Sequence, residues 1–228
     1  MALPIDHSRA QSATEVLHDL LFRQIISTEL EPGQKISEAE IAGKYEVSRQ
    51  PVRDAFYRLA QQGLLRIRPQ RSTVITHISI SALHQARFIR IALEKEIMLA
   101  AAQNMTPEAQ ESLSELIELQ EAALANDSDA EFYRQDDKFH EELCKIAGQP
   151  YIWELICNTK APADRVRFLS LAFDGRTAIA DHKQILQHLI DGNGAKAADL
   201  TNVHLSRVLT ALPRIQAAHP DRFKEAET

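Results

Sequence analysis

The spacing of apolar residues indicates helices over most of the chain. Only seven glycines occur among 228 residues, and long stretches repeat apolar residues at intervals of three and four, as amphipathic helices do. β-Prone residues form short runs at 64–68 and 73–78, separated by Pro69-Gln70-Arg71-Ser72. We therefore predict a mainly α protein with one β-hairpin, which must pack on helices because a lone hairpin is only marginally stable.

Three helices are predicted before the hairpin. The first covers 13–28, and the second covers 38–45 after the N-cap candidate Ser37. The third follows Ser48 and ends at Gly63. This order of three helices and a hairpin is that of a winged helix-turn-helix.

The third predicted helix has one apolar and one polar face. At 100° per residue its apolar positions form a single stripe: Val52, Ala55, Phe56, Leu59 and Ala60. Arg49, Gln50, Arg53 and Tyr57 lie together on the other side. An arginine can grip guanine through two hydrogen bonds and a glutamine can do so for adenine, so this face suits DNA recognition. The alternative is an ordinary surface helix with polar side chains.

Charge is distributed unevenly. Residues 1–78 carry ten basic and nine acidic side chains, a balance of +1, whereas 79–228 carry sixteen and twenty-three, a balance of −7. Between 47 and 77, six arginines face the single acid Asp54, a local balance of +5. These arginines are Arg49, Arg53, Arg58, Arg66, Arg68 and Arg71. Such a concentration favours phosphate contacts, although a solvated surface has the same composition.

The remainder reads as an all-helical bundle, so we divide the chain into domains at 1–78 and 79–228. Predicted helices cover 80–104, 107–125, 129–147, 150–158, 162–172, 177–191 and 195–212. Asp174-Gly175 and Pro213 are among the predicted stops. The helix at 80–104 is apolar nearly all round, Phe88 and Leu99 included, and is expected to be central.

Two charged residues on that central helix need partners. Arg90 and Glu94 stand four apart, a spacing at which they can pair with each other. Alternatively, Arg90 faces an interior pocket and binds an anionic ligand, which its planar guanidinium suits. Periodicity leaves both interpretations open.

A possible metal site comes from one carboxylate and three imidazoles. Asp136 and His140 stand four apart on one predicted helix and project from the same face, while His182 and His204 lie on two later helices. This ligand set suits zinc, nickel, manganese or iron. Ordinary core or surface histidines are the alternative, because nine histidines in 228 residues allow coincidences.

The first third of the chain resembles the winged-helix domain of GntR-type regulators. The resemblance rests on EPGQKISEAEIA (31–42), VSRQPVRDA (47–55) and GLL (63–65). It implies that Arg49 and Arg53 contact operator DNA and that the hairpin is a wing reaching the minor groove. Ser72 stands where the wing tip usually has glycine. The expected DNA-binding residues are Ser48, Arg49, Gln50, Arg53, Arg58, Arg68, Arg71 and Ser72.

The second part resembles the FCD ligand-binding domain of the FadR subgroup of that family. The matching runs are RIALE (90–94), DDKFH (136–140), DHKQIL (181–186) and VHL (203–205). The resemblance implies a divalent metal held by Asp136, His140, His182 and His204. It further implies a small carboxylate effector that completes the metal coordination, with Arg90 as the neighbouring arginine. Gln149 departs from an asparagine common near its position.

These observations favour a transcription regulator that binds double-stranded operator DNA as a homodimer. A metal-dependent hydrolase is the enzyme alternative, but no HExxH signature is present, and a plain helical interaction protein leaves the arginines near the hairpin unexplained. Cys144 and Cys157 are too few for a disulfide framework. Without a signal peptide or a long apolar stretch, we expect a cytoplasmic protein that makes no membrane contact.

Overall fold

The computed structural model describes residues 12–68 and 72–223, apart from the side chains of 171–174. Its N-terminal part contains three helices and three short strands. They are α1 (Ala13–Ile26), β1 (Lys35–Ile36), α2 (Glu38–Tyr45), α3 (Arg49–Gln61), β2 (Leu65–Arg66) and β3 (Thr73–Ile75). The predicted order of helices and hairpin is confirmed.

The hairpin belongs to a three-stranded antiparallel sheet of order β1-β3-β2. Strand β1, which pairs Lys35 with Val74, was not predicted because two residues are too short to show an alternating pattern. The sheet closes one side of the N-terminal core, where Ile36 and Ile75 are buried with the apolar sides of α1 and α3. The hairpin is thus stabilised by packing, as its small size requires.

Local signals set the ends of the N-terminal helices. Ser12 and Glu15 form a capping box at the start of α1, and the Ser37 side chain accepts a hydrogen bond from the Glu40 amide at the start of α2. Helix α2 ends at Glu46 in the left-handed conformation, with φ of 57°. This conformation makes a tight turn, so that α3 follows α2 directly in helix-turn-helix fashion.

The C-terminal part is helical throughout its described residues. It consists of α4 (Ile80–Gln103), α5 (Pro107–Ala125), α6 (Asp129–Ile146), α7 (Pro150–Thr159), α8 (Ala161–Ile190), α9 (Gly194–Ala218) and the short 3-10 helix η1 (Pro220–Arg222). The bounds of α5 are those predicted from the sequence. The central core lies between α4, α5, α6, α8 and α9.

Two predicted helix ends are wrong. The expected stop at Asp174-Gly175 lies within the continuous helix α8, and Pro213 lies within α9. An interior glycine costs a helix about 1 kcal/mol and a proline about 3 kcal/mol, which tertiary packing can outweigh. A side chain at Gly175 would meet Leu124 of α5 at 3.0 Å, so close helix packing accounts for the glycine.

Helix α4 is not buried in the manner that its composition suggested. Phe88 is 72% exposed and Leu99 is 39% exposed, whereas Arg90 and Glu94 are buried. The expectation of an all-round apolar core helix is therefore wrong for these positions. The charged pair Arg90 and Glu94 faces the interior, whereas the apolar side chains of Phe88 and Leu99 face outward.

Helix α8 contacts both parts of the molecule. Ala161 at its start is completely buried in the N-terminal core, and His182 further along is buried among the C-terminal helices. Arg165 of the same helix donates a hydrogen bond of 2.7 Å to the main-chain oxygen of Thr76, just after β3. One rigid element thus links the two predicted domains.

Candidate functional site

Helix α3 presents a polar face to solvent. Its opposite side buries Val52, Ala55, Phe56 and Leu59, which fix its rotation on α1. Arg49, Gln50 and Arg53 are consequently exposed on one face, as the apolar spacing predicts. The Ser48 side chain at the start of the helix is exposed and makes no capping hydrogen bond. These side chains can reach a ligand without any loss of core packing.

Two side chains on this face have partners that DNA could replace. Arg53 pairs with Glu38 of α2 at 3.0 Å, and Gln50 donates to Asp54 at 2.9 Å. Solvent screens an ion pair as exposed as this one, so it contributes little to stability. Both side chains therefore remain available to a ligand at this surface.

The other expected DNA-binding residues are more scattered. Arg58 lies in the last turn of α3, about 180° around the helix from Arg49, beside Glu15 of α1. Arg68 is exposed after β2 and Ser72 is half-buried before β3, at the two ends of the hairpin turn. Arg71 lies outside the described residues. The structure therefore brings only the α3 front together and leaves the wing contacts as predictions.

The four expected metal ligands converge in the helical bundle. Asp136 and His140 come from α6, His182 from α8 and His204 from α9. Their nearest ligand atoms all lie within 4.8 Å of one another, an arrangement that could hold a metal ion. Three of the residues are fully buried and His204 is half-buried. Helix packing thus assembles groups that are far apart in sequence.

Each histidine of this cluster has an acceptor behind its ring. His182 Nδ1 lies 2.8 Å from Gln120 Oε1, and His204 Nδ1 lies 3.2 Å from Asp181 Oδ2. His140 Nδ1 is 2.7 Å from Glu94 Oε2, within ion-pair distance though off-line for a hydrogen bond. The hydrogen-bond acceptors of His182 and His204 hold the proton on Nδ1 and direct the Nε2 lone pair to the opposite side.

These outer partners were not identified from the sequence. Gln120 lies on α5 and Glu94 on α4, so no local spacing relates either to the histidine that it contacts. Asp181 directly precedes His182 in the chain, yet it contacts His204. The adjacency of Asp181 and His182 in the sequence suggests that these two side chains contact each other, but Asp181 is the acceptor for His204 instead.

The cluster fits a cation. With Nδ1 of His182 and of His204 donating to oxygen acceptors, their Nε2 lone pairs face each other at 3.2 Å. His140 Nε2 is buried and has no hydrogen-bond partner within the described part of the chain. Facing lone pairs and an orphaned acceptor are unfavourable in an apolar interior unless a positive ion lies between them. The donor set of three nitrogens and one carboxylate suits zinc, nickel, manganese or iron.

Electrostatics keeps these groups in the form that binds metals. Burial lowers the pKa of His182 well below its ordinary value, and the neighbouring His204 lowers it further. Burial also lowers the pKa of His204, against the opposing effect of Asp181. Burial alone would raise the pKa of Asp136, but Arg167 and the histidines hold it well below its usual range. Neutral imidazoles and an ionised carboxylate are the states that coordinate a cation.

A buried network of charges supports Asp136. Arg167 donates to Asp136 Oδ2 at 2.7 Å and to Asp164 Oδ1 at 3.2 Å. Lys160 bridges Asp137 and Asp164 at 2.7 and 2.8 Å. Lys160 and Asp164 are almost fully buried, and each of these charges is balanced by an opposite charge within the bundle. The network fixes Arg167 and, through it, the orientation of the Asp136 carboxylate.

A cavity of about 60 Å³ opens beside the cluster. Asp136, His204 and Arg90 all contribute to its lining. Arg90 pairs with Glu94, to which its Nε donates at 2.7 Å, and it also lines the cavity, while its Nη2 is buried without a hydrogen-bond partner among the described residues. The cavity therefore has a guanidinium group in its wall near the metal ligands.

The two cysteines stay outside this cluster. Cys144 and Cys157 are free thiols on α6 and α7, and burial raises the pKa of each to about 12. A thiol with so high a pKa is a poor nucleophile and a poor metal ligand.

Among the described residues, no helix is long and apolar enough to cross a membrane.

Comparison with known proteins identifies the family. Residues 13–75 match the gntR family of bacterial regulatory proteins, and residues 85–207 match the FCD domain. The chain is 32% identical over 219 residues to the HTH-type transcriptional repressor RspR of Escherichia coli (strain K12), covering 94% of this chain and 95% of that protein. It is 27% identical over 183 residues to the gluconate operon transcriptional repressor of Bacillus subtilis (strain 168), covering 79% and 74%.

Solved structures agree on the fold. Escherichia coli McbR/YncC superimposes with a TM-score of 0.78 at 19% identity, covering 90% of this chain and 98% of that one. A putative GntR regulator from Rhodococcus sp. RHA1 gives 0.70 at 22% identity, covering 91% and 99%. The chain therefore belongs to the GntR family: it is a DNA-binding transcription regulator with an N-terminal winged helix-turn-helix and a C-terminal FCD domain, and not an enzyme.

Proposed function

We propose that operator affinity is controlled by a small carboxylate effector, bound beside a divalent metal in the helical domain. The metal ligands are Asp136, His140, His182 and His204. The observation that carries this proposal is the convergence of three histidine Nε2 atoms and a carboxylate on one buried point, next to a cavity that Arg90 lines. Four protein ligands leave coordination positions open for the acid if the ion is octahedral.

DNA recognition is assigned to the front of α3 and to the wing. Arg49, Gln50 and Arg53 are exposed on one helix face, and their exposure and chemistry match major-groove readout. Arg58, Arg68, Arg71 and Ser72 are proposed to contact the DNA backbone or the minor groove from the sides. Ser48 precedes α3 and can donate to a phosphate.

The two sites are coupled through α8 in this proposal. The helix carries the ligand His182, and its first residue, Ala161, packs in the core of the DNA-binding part. Arg165 joins it to Thr76 at the end of the wing. We place the domain boundary between 78 and 79, next to this contact. An effector that favours one position of α8 changes the spacing of two recognition helices in a dimer.

A homodimer is supported by the outward apolar side chains of the helical domain. Phe88 and Leu99 of α4 and Val203 of α9 are 72%, 39% and 50% exposed. Helices α4 and α9 pack against each other, so these residues lie on neighbouring elements. We propose that a second copy of the chain covers them, because a winged helix alone buries too little surface for selective DNA binding.

A selection experiment tests this function. From a random duplex library, the full chain is expected to enrich a palindrome and to bind it as two chains, because the protein and its site share a two-fold axis. Sedimentation measures the stoichiometry. Phe88→Ser is expected to shift the free protein toward monomer, whereas Tyr151→Ser, which alters an exposed aromatic residue on α7, leaves the dimer intact. Selective binding by monomers alone at micromolar concentration contradicts the proposal.

A further inference from the structure

The cavity beside the metal ligands is lined by four arginines. They are Arg87, Arg90, Arg167 and Arg207. Three of them have carboxylate partners: Arg90 pairs with Glu94, Arg167 with Asp164 and Arg207 with Asp181. The positive charges of these three guanidinium groups are thus balanced by their carboxylate partners, and they add little net charge to the cavity.

Arg87 differs from the other three. Its Nε and Nη2 donate to the hydroxyl of Ser206 on α9, at 3.2 and 2.9 Å. The described residues give it no carboxylate partner. A half-buried cation held only by a neutral hydroxyl retains its full attraction for an anion. Arg87 precedes Arg90 by three residues on α4, so both side chains leave the helix on the same face.

The charges of the site leave a defined excess once the pairs are removed. Lys160 is balanced by Asp137, and the three other arginines of the cavity are balanced by their partners. What remains is the cation of Arg87, the carboxylate of Asp136 and the two positive charges of a bound divalent ion. The loaded site therefore carries two uncompensated positive charges, one at the metal centre and one at Arg87.

We propose that the effector is a short dicarboxylate, with one carboxylate on the metal and the second on Arg87. This inference rests on the proposed metal-bound effector and adds the requirement for a second acidic group. The cavity, about 60 Å³, has room for only about four to six water-sized groups, which favours the shortest dicarboxylates. The planar guanidinium of Arg87 can bind the second carboxylate through two hydrogen bonds.

Calorimetric titration of the manganese-loaded full chain with matched acids tests the inference, because manganese favours the octahedral geometry that leaves positions open. Malonate and succinate are compared with propanoate and butanoate, which have the same chain lengths and one carboxylate fewer. The wild-type protein is expected to bind each dicarboxylate at least about 10-fold more tightly than its monocarboxylate counterpart, because a charge-assisted bidentate contact is added.

Two variants assign that preference to Arg87. Arg87→Gln is expected to weaken malonate and succinate binding by about 10-fold and to leave propanoate and butanoate within about 2-fold. Arg87→Lys keeps the charge and is expected to retain part of the preference. The control is Lys95→Gln, which removes a cation of α4 that pairs with Asp199 at the surface, and it should change neither affinity.

The outcomes separate this inference from the function on which it rests. Equal binding of mono- and dicarboxylates by the wild-type protein overturns the dicarboxylate assignment, and leaves a metal-bound carboxylate intact. A dicarboxylate preference that persists unchanged in Arg87→Gln overturns the role of Arg87. Failure of all four acids to bind the manganese-loaded protein, or equal binding without manganese, contradicts the proposed function itself.

Discussion

Replacing His182 by alanine is expected to abolish tight divalent-metal binding and the stabilisation that the metal provides. The His182 side chain is completely buried, with Nε2 3.2 Å from His204 Nε2 and 3.7 Å from Asp136 Oδ1. Removing it takes away one of four ligands and the group that holds the others together. A ligand at about 1,000 times its Kd raises the free energy of unfolding by about 4 kcal/mol, and most of this increment should disappear.

The measurement is the increase in unfolding free energy on adding zinc or manganese, for wild type and variant. Because the increase on adding metal is measured within each protein, the destabilisation caused by the cavity that the substitution creates cancels out. His188→Ala, on the same helix but outside the cluster, is the control and should keep the full increment. An equal increment in His182→Ala, or wild-type protein purified without chelator that contains no metal, would leave these histidines as ordinary core residues.

Replacing Arg49 or Arg53 by alanine is expected to weaken operator binding by about 1–3 kcal/mol each. Both side chains are exposed on the front of α3, and the apolar back of that helix fixes their direction. If they contact bases, the preference at one base pair should relax. If they contact phosphates, affinity should fall for all sequences and the salt dependence should decrease by about one unit of slope.

Fluorescence anisotropy with the selected duplex at two salt concentrations distinguishes these cases. Arg134→Ala is the matched control, because Arg134 is an exposed arginine of the helical domain paired with Glu131 at 2.6 Å. Its removal should leave DNA affinity unchanged. If Arg49→Ala and Arg53→Ala both bind as tightly as wild type, the recognition helix has been assigned incorrectly.

Features set by local chemistry could be predicted from the sequence. Helix α2 has the predicted bounds because the Ser37 side chain caps its start and because it ends in the tight turn at Glu46. The direction of α3 followed from its apolar spacing. Strand β1 could not be found in this way, since its pairing with β3 joins residues about forty positions apart.

Features set by tertiary packing were mispredicted. Gly175 and Pro213 are strong helix breakers in isolation, yet both lie within long helices that pack on the rest of the bundle. Phe88 reads as a core residue by its chemistry but faces outward, where we propose a second copy. Periodicity does not report how a helix packs against other elements, and this packing decides where α8 and α9 end.

The metal cluster shows the same division. Asp136 and His140 were related by their spacing on one helix, whereas His182 and His204 could be either metal ligands or ordinary histidines until resemblance to the FCD domain favoured the metal. Gln120 and Glu94 could not be inferred, because they reach the histidines from α5 and α4. The spacing of Asp136 and His140 is a property of one helix, whereas the contacts of Gln120 and Glu94 depend on how five helices pack.

The most direct test of regulation by a metal-bound effector is the operator affinity of the full chain in defined states. Anisotropy titrations compare metal-free protein, manganese-loaded protein and manganese-loaded protein with saturating malonate, succinate, propanoate or butanoate. In the loaded wild type, at least one acid is predicted to change Kd by about 5–150-fold, the usual range of allosteric coupling. In the metal-free protein and in His182→Ala, operator binding should persist without that response. An identical Kd in the loaded wild type with and without every acid would contradict the account.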